Sequence, residues 1–260
     1  MNSNYENNGY LVFKSAFGAS EIQKLRAVLV EFHQAWIQEN SKLYAERAIN
    51  SAYLTAKKYL TDSEREVLFQ FIGSAKMMDV VTSILSNATF MNTQLFFDPV
   101  NQFQRNYWHR DTQYHMSVDQ QKEALQGPNV VHFRIPMVDE PGVELIPGTH
   151  RRWDSDEELD VRLEQNGRKN YEDLPAGVRV ALNAGDLLVF SANMIHRGIY
   201  GMDRMALDIL FCDPDPEPMK FVDADCLPDA EIMERIENAS AFERTIKIKA
   251  NGTAAHATNE

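Results

Sequence analysis

From about residue 90 to residue 211, the chain is divided into short runs in which apolar and polar residues alternate. This alternation has the period of a β-strand, in which successive side chains point to opposite faces of a sheet. Turn-forming pairs such as Gly127-Pro128 and Pro141-Gly142 separate the runs. The predicted strands are residues 91–97, 106–111, 130–138, 143–146, 178–182, 187–190, 194–200 and 204–211. Many short strands of this kind predict a β-sandwich or a β-barrel.

The first third of the chain has a helical period instead. After a short apolar run at residues 10–13, apolar side chains recur every three or four positions, which is the spacing of one helix face. The first such face consists of Ile22, Leu25, Leu29, Phe32 and Trp36. Ser20 with Gln23, and Thr61 with Glu64, have the spacing of a capping box and predict two helix starts. We expect these helices to pack on a sheet, because no chemistry is apparent on them.

The length of 260 residues fits a single domain with a sizeable core. We predict supporting elements in residues 1–90, the β core in residues 91–212, and a C-terminal extension in residues 213–260. The extension is expected to hold one helix and a flexible tail from residue 251. An acidic run at residues 154–160 predicts a solvated surface helix that interrupts the β core.

The composition excludes several classes of partner. The net charge of −12 argues against non-specific binding to nucleic acid or to an anionic membrane. Two cysteines are too few for a disulfide scaffold, and the start of the sequence lacks the pattern of a signal peptide. No apolar stretch reaches the length of about 18 residues that suggests a membrane span. We therefore predict a cytoplasmic protein, a monomer or homodimer, whose partner is a small molecule.

His109-Arg110-Asp111 is the first group of residues that could carry chemistry. On a strand, residues two apart share a face, so His109 and Asp111 would lie side by side with Arg110 turned away. His196 lies at a later turn, and Arg204 opens the last predicted strand. Two histidines and one carboxylate form the facial triad of non-haem Fe(II) oxygenases. The planar guanidinium of an Arg suits a free carboxylate.

In the order of these motifs the chain resembles the phytanoyl-CoA dioxygenase family of Fe(II)/2-oxoglutarate oxygenases, over roughly residues 8–212. The matching pieces are Trp108-His109-Arg110-Asp111, Leu145-Ile146-Pro147-Gly148-Thr149-His150, Gly185-Asp186-Leu187-Leu188-Val189-Phe190, His196-Arg197-Gly198 and Arg204. The chain departs from the family at Asp98-Pro99, where many members have Lys-Pro.

The resemblance implies a mainly β fold with flanking α-helices. Its core would be a double-stranded β-helix, a cupin-like jelly roll, with the N-terminal helices packed on one sheet. It also implies that Fe(II) binds to His109, Asp111 and His196, and that Arg204 holds the distal carboxylate of 2-oxoglutarate. O2 would complete the set of cofactors and cosubstrates. Because position 111 is a carboxylate, the halogenating variant of the family, which has a small residue there, is disfavoured.

The predicted function is hydroxylation of a small organic substrate with release of succinate and CO2. One alternative is a metal-dependent hydrolase that uses the same three ligands, although no general acid or base stands out in the sequence. The other alternative is a non-catalytic β-sandwich binding protein, because a fold alone does not define a function. Turnover of 2-oxoglutarate that depends on metal separates the three.

The substrate pocket is predicted from the alternation of apolar and polar residues in the strand at residues 131–137. The apolar set of alternate residues, which begins with Val131 and Phe133, suits packing against the supporting helices. The other set would then place His132 and Arg134 in the cavity. A buried Arg needs an anionic partner, which for Arg134 is either Asp208 or a substrate carboxylate or phosphate. The second possibility predicts a polar or anionic substrate. Of the two aromatic residues that precede His109, Trp108 is predicted to contact the substrate.

Overall fold

The structure is a computed structural model, and it describes residues 3–257. Within that range the chain forms nine β-strands and nine α-helices. The strands are β1 (Tyr10–Phe13), β2 (Asn50–Ala52), β3 (Thr89–Phe97), β4 (Val130–Pro136), β5 (Glu140–Leu145), β6 (Val178–Leu182), β7 (Leu187–Ser191), β8 (His196–Gly198) and β9 (Met205–Cys212). The helices are α1 (Ser3–Asn8), α2 (Ala19–Glu39), α3 (Ser41–Glu46), α4 (Asp62–Ile72), α5 (Ala75–Ile84), α6 (Val118–Ala124), α7 (Asp156–Arg162), α8 (Ala230–Met233) and α9 (Ser240–Ala257).

The strands form two antiparallel sheets. The larger sheet has the order β1-β7-β4-β9-β3-β2, and the smaller one has the order β6-β5-β8. Apolar side chains of β5 and β6 pack against Leu188 and Phe190 of β7, so the two sheets face each other. Together with the helices that flank the larger sheet, this arrangement confirms the predicted fold class, a jelly roll with supporting helices.

The outer face of the larger sheet packs on helices, as strand parity predicts. Phe133 of β4 and Ile209 of β9 belong to the same buried apolar cluster as Phe32 of α2, Phe69 of α4 and Met77 of α5. Polar and charged residues at the intervening positions of β4 and β9 consequently point into the space between the two sheets. This inner face is where the chemistry-bearing residues lie.

The predicted helix starts are confirmed in one case and wrong in the other. At α4, the Thr61 hydroxyl accepts a hydrogen bond from the Glu64 amide, and the Glu64 carboxylate accepts one from the Thr61 amide. At α2, the helix begins at Ala19, after Gly18, rather than at a capping box of Ser20. The Glu21 carboxylate instead accepts a hydrogen bond from the Gly18 amide, which satisfies one of the free donors at the helix start.

The C-terminal extension contains two α-helices, α8 and α9, where the sequence predicts one, and it packs back onto the core through α9. Its Thr245 side chain is fully buried and donates a hydrogen bond to the Phe90 carbonyl at the start of β3. The helix continues to Ala257, where the sequence predicts a flexible tail from residue 251. The remainder of the predicted tail, residues 258–260, lies outside the described residues.

In the described part of the chain, no single helix is long and apolar enough to cross a membrane. The pair formed by α4 and α5 has sufficient length and suitable composition, but the two helices meet at an angle of 50°.

Candidate metal centre

Two of the three predicted metal ligands are held next to each other by backbone hydrogen bonds. His109 and His196 exchange hydrogen bonds in both directions, with N···O distances of 3.0 and 2.9 Å. The prediction of a strand at residues 106–111 is wrong, because only this isolated bridge forms there and a 3₁₀-helix starts at Asp111. Arg110 keeps an extended backbone between the two ligands. His109 and Asp111 therefore still share a face, as two-residue spacing requires.

The structure brings His109, Asp111 and His196 together. One ligand atom from each side chain lies within 4.8 Å of the other two. Oδ1 of Asp111 is 3.5 Å from Nε2 of His109 and 3.6 Å from Nε2 of His196. The side chains are 17%, 31% and 8% exposed in chain order, so the cluster is open mainly beside the carboxylate. This geometry is that of a facial triad with one side free.

The histidine rings are oriented for metal binding by the backbone. Nδ1 of His109 lies 3.1 Å from the Tyr107 carbonyl, and Nδ1 of His196 lies 3.0 Å from the Met194 carbonyl. A carbonyl only accepts hydrogen bonds, so the proton sits on Nδ1 and the lone pair of Nε2 faces the cluster. Burial lowers the pKa of both rings, that of His196 to about 3, which favours the neutral form that binds metals. The three side chains therefore fit a divalent transition metal.

The side chain of Arg110, which lies between His109 and Asp111 in the sequence, points away from the cluster of candidate ligands and is held by buried contacts. Its guanidinium is fully buried and lies 2.7 Å from the Asp154 carboxylate, which also lies 2.7 Å from Arg162. It further donates hydrogen bonds to the backbone carbonyls of Thr149 and Asn193. The sequence predicts that Asp154 is part of a solvated acidic run. That prediction is wrong, because the Asp154 carboxylate is buried and pairs with two buried arginines, Arg110 and Arg162.

His132 and Arg134 line the cavity, as predicted, and both contact carboxylates of the protein. Nε2 of His132 is 2.6 Å from Oδ2 of Asp111, and its Nδ1 is 3.2 Å from Oδ2 of Asp208. Arg134 lies 3.5 Å from Asp208 and donates two hydrogen bonds to Glu140, at 2.9 and 3.2 Å. Burial alone would lower the pKa of His132, but the two carboxylates outweigh it and raise the pKa.

Glu140 continues this chain of contacts to Arg204, whose Nε is 3.8 Å from the Glu140 carboxylate. Charged or ionisable groups thus follow one another through the space between the sheets. We call this series the buried charge line; its members are Asp111, His132, Asp208, Arg134, Glu140 and Arg204. The sequence pattern predicts Asp208 as a partner of Arg134 through strand parity, but it contains no signal for Glu140.

Trp108 does not face the cavity, so its predicted contact with the substrate is wrong. Its indole is fully buried in a cluster with Ile146 and Ile195, and its N–H donates to the Glu172 carbonyl. The residues on either side of Trp108, Tyr107 and His109, line the cavity instead. Alternation along an extended segment turns Trp108 to the opposite face.

The Arg204 guanidinium lies in the cavity between the rings of Phe96 and Tyr200. Among the described residues, its buried Nε has no hydrogen-bond partner, and one Nη donates to the Ile199 carbonyl at 3.4 Å. Burial and the neighbouring Arg134 lower its pKa to about 10, which leaves it charged at neutral pH. A buried cation whose donors are not all used is suited to an incoming carboxylate.

Two residues determine the position of Arg204, and the sequence does not predict this role for either of them. Gly198 of β8 lies under the guanidinium, and a Cβ atom at this position would be 2.7 Å from Nη1 of Arg204. The Asp98 carboxylate accepts hydrogen bonds from the backbone amides of Gly201 and Arg204, at 2.8 and 3.1 Å. Asp98 therefore ties down the turn between β8 and β9. This explains an acidic residue where many family members have Lys.

The cavity has a volume of about 830 Å³ and follows the inner face of β9. Arg204 lies at one end of the cavity, and Leu210 lies six residues further along the strand, about 20 Å away at 3.3 Å per residue. Beyond the metal cluster, the wall includes Tyr114, His115 and Phe221, with the rings of His115 and Phe221 5.0 Å apart. The cavity therefore extends along β9 from Arg204 past the three predicted ligands.

Comparison with known families identifies one match. A family model described as phytanoyl-CoA dioxygenase matches residues 5–199, three quarters of the chain. Among proteins with curated functions, none matches the sequence.

Solved structures share the fold at low sequence identity. AviO1 from Streptomyces viridochromogenes is 17% identical with a TM-score of 0.56, and the match covers 82% of this chain and 93% of that protein. HygX from Streptomyces hygroscopicus, solved with nickel and 2-oxoglutarate bound, is 13% identical with a TM-score of 0.57, over 80% and 84% of the two chains. EctD from S. alaskensis, solved with 2-oxoglutarate and 5-hydroxyectoine, is 15% identical with a TM-score of 0.55, over 81% and 74%.

Proposed function

The chain belongs to the phytanoyl-CoA dioxygenase family, and we propose that it is an Fe(II)- and 2-oxoglutarate-dependent dioxygenase that hydroxylates a small organic molecule. The observation that carries the proposal is the convergence, in one cavity, of the three candidate metal ligands with a buried Arg whose Nε has no hydrogen-bond partner among the described residues. HygX and EctD, which share the fold, have been solved with 2-oxoglutarate bound.

His109, Asp111 and His196 would hold the iron through two Nε2 atoms and one carboxylate oxygen. The carboxylate supplies negative charge, and the neutral rings supply the nitrogen ligands that Fe(II) accepts. Bound iron and 2-oxoglutarate together supply the oxidising chemistry, in which O2 is consumed, 2-oxoglutarate yields succinate and CO2, and the substrate gains a hydroxyl group. The chain itself contributes geometry and a sheltered cavity.

Arg204 would bind the distal carboxylate of 2-oxoglutarate. Its Nε and the remaining guanidinium N–H groups offer the planar pair of donors that a carboxylate accepts. Phe96 and Tyr200 cover the guanidinium and keep water from competing for these donors. An Arg in this position has no evident role in a metal-dependent hydrolase, which needs an acid or base near a bound water instead.

The part of the cavity beyond the metal cluster would receive the substrate. Apart from Arg134 and Arg204, no Lys or Arg is among the described residues that line the cavity. Arg134 is occupied by Glu140 and Asp208, so the reason to expect an anionic substrate is removed. Asn92, Asn193 and Gln120, which also line the cavity, have neutral side-chain amides. We therefore expect a small polar substrate that needs no anionic group for recognition by the cavity wall.

The test is succinate release from 2-oxoglutarate by the purified protein with Fe(II) and O2. Wild type should release succinate, faster in the presence of a substrate, and removal of iron by a chelator should stop the reaction. His109→Ala, Asp111→Ala and His196→Ala should each abolish turnover and weaken Fe(II) binding. Neutral and amine-bearing compounds should stimulate turnover more than matched carboxylates do.

His115→Ala is the matched control for iron binding, because His115 lines the same cavity but is not one of the three ligands. This variant should bind Fe(II) as wild type does. Full turnover in Asp111→Ala, or no metal-dependent succinate from wild type with a broad substrate panel, would refute the proposed function.

A further inference from the structure

The two oxygen atoms of Asp111 have different partners. Oδ1 faces the Nε2 atoms of His109 and His196, whereas Oδ2 is 2.6 Å from Nε2 of His132. Among the residues that the structure describes, His132 is thus the side chain that contacts Oδ2 from outside the three-residue cluster. The terminal torsion of an Asp side chain has a broad energy profile, so a directed hydrogen bond is needed to define it.

His132 is itself held rigidly. Its Nδ1 lies 3.2 Å from Oδ2 of Asp208, and its ring stacks on Phe190, with centroids 4.6 Å apart and planes within 9°. Its backbone lies in β4, which pairs with β7 on one side and β9 on the other. The side chain is only 3% exposed. One ring nitrogen and one ring face of His132 are therefore held by side chains of β9 and β7, the two strands that flank β4.

The Asp111 side chain, in contrast, is partly exposed, although the backbone amide of this residue donates a hydrogen bond to the Ala192 carbonyl. Asp111 is the first residue of a short 3₁₀-helix in a loop, and its side chain is 31% exposed to the cavity. Without a partner for Oδ2, the carboxylate could turn toward solvent or present both oxygens to a metal. Either change would disturb a site in which the carboxylate must supply one ligand and leave neighbouring positions open.

We propose that His132 is a positioning residue that holds the Asp111 carboxylate in its metal-binding orientation, and that Asp208 holds His132. The inference rests on the proposed function only in taking Asp111 as a metal ligand. Groups that orient a ligating side chain typically contribute 10- to 100-fold to metal affinity. Loss of the hydrogen bond to Oδ2 should therefore weaken Fe(II) binding by about 10- to 100-fold.

Two amide substitutions separate the two hydrogen bonds of His132. The amide nitrogen of Gln reaches the position of Nε2, so His132→Gln keeps the donor toward Asp111 and loses the one toward Asp208. The amide nitrogen of Asn lies at the position of Nδ1, so His132→Asn keeps the donor toward Asp208 and loses the one toward Asp111. Anaerobic Fe(II) titration gives the affinity, and the visible spectrum of the Co(II)-substituted protein reports the ligand geometry.

The expected result is an Fe(II) affinity close to wild type in His132→Gln and a loss of about 10- to 100-fold, with an altered Co(II) spectrum, in His132→Asn. Equal affinity in wild type and His132→Asn, with both proteins folded by near-UV circular dichroism, would overturn the proposal. If His132→Gln does not fold, His132→Asn decides alone, because it keeps the buried Asp208 paired. A wild-type protein that binds no Fe(II) would instead refute the proposed function.

Discussion

Gly198→Ala tests the proposed 2-oxoglutarate pocket with the addition of a single methyl group. The Cβ atom would lie 2.7 Å from Nη1 of Arg204 and 3.3 Å from its Cζ. The backbone of Gly198 is not in the left-handed region, so alanine introduces no backbone strain there. The new methyl group acts only by displacing the guanidinium.

The size of the effect follows from this distance. An ordinary contact between these atoms is about 3.4 Å or more, so the guanidinium of Arg204 must move by about 0.7 Å. That exceeds the tolerance of about 0.5 Å for a working binding geometry. One of the two charge-assisted hydrogen bonds to the cosubstrate should be lost, at about 1.5–3 kcal/mol. The apparent KM for 2-oxoglutarate should then rise by about 10- to 100-fold.

The assay is the dependence of succinate release on 2-oxoglutarate concentration, together with an Fe(II) titration. Arg204→Met, which removes both hydrogen bonds, should raise the KM further, and Fe(II) binding should survive in both variants. Gly18→Ala is the matched control, because it adds a methyl group with only an ordinary contact at 3.5 Å, outside the residues that line the cavity. An unchanged KM in Gly198→Ala and Arg204→Met would show that another residue binds the cosubstrate carboxylate.

Three further changes have defined outcomes. Asp98→Ala removes the acceptor of two amides in the turn that leads into Arg204, and it should raise the KM for 2-oxoglutarate without changing Fe(II) affinity. Asp154→Ala leaves the buried guanidinium groups of Arg110 and Arg162 without their carboxylate. The free energy of unfolding, measured with denaturant, should therefore fall by about 3–5 kcal/mol. Although burial would raise the pKa of Asp186, Lys14 and two backbone amides lower it below its unfolded value. The stability difference between wild type and Asp186→Asn should therefore be constant above about pH 5 and shrink as the pH falls below about 4.

The elements that the sequence predicts best are those in which local pattern and burial agree. The strand at residues 178–182 has the predicted bounds, and the parity of β4 and β9 places their apolar and charged faces correctly. The parity of β4 and β9 depends on a period of two that is maintained by packing of one face on the helices. The capping box at Thr61 marks the start of its helix for a similarly local reason.

The predictions that are wrong depend on contacts distant in sequence. The strand predicted at residues 106–111 is reduced to one bridge, because hydrogen bonds to His196 and Ala192, more than 80 residues away, determine the local backbone. Asp154 belongs to an acidic run that has the composition of a solvated helix start, and only the fold brings it to Arg110. The prediction for Trp108 is wrong for a simpler reason. The sequence indicates that its side chain points away from those of its two neighbours, but not which of these side chains faces the cavity.

The groups at the two ends of the buried charge line, Asp111 and Arg204, are less completely paired than the groups between them. Buried charges are costly unless they are paired, and each of the four groups between Asp111 and Arg204 lies within 3.5 Å of an oppositely charged partner or hydrogen-bonding group in the line. Arg204 is 3.8 Å from its nearest carboxylate in the line, and its Nε lacks a hydrogen-bond partner among the described residues. At the other end, one oxygen of Asp111 faces two rings whose pKa values are lowered by burial. The incomplete pairing therefore lies where a carboxylate and a metal cation would each complete it.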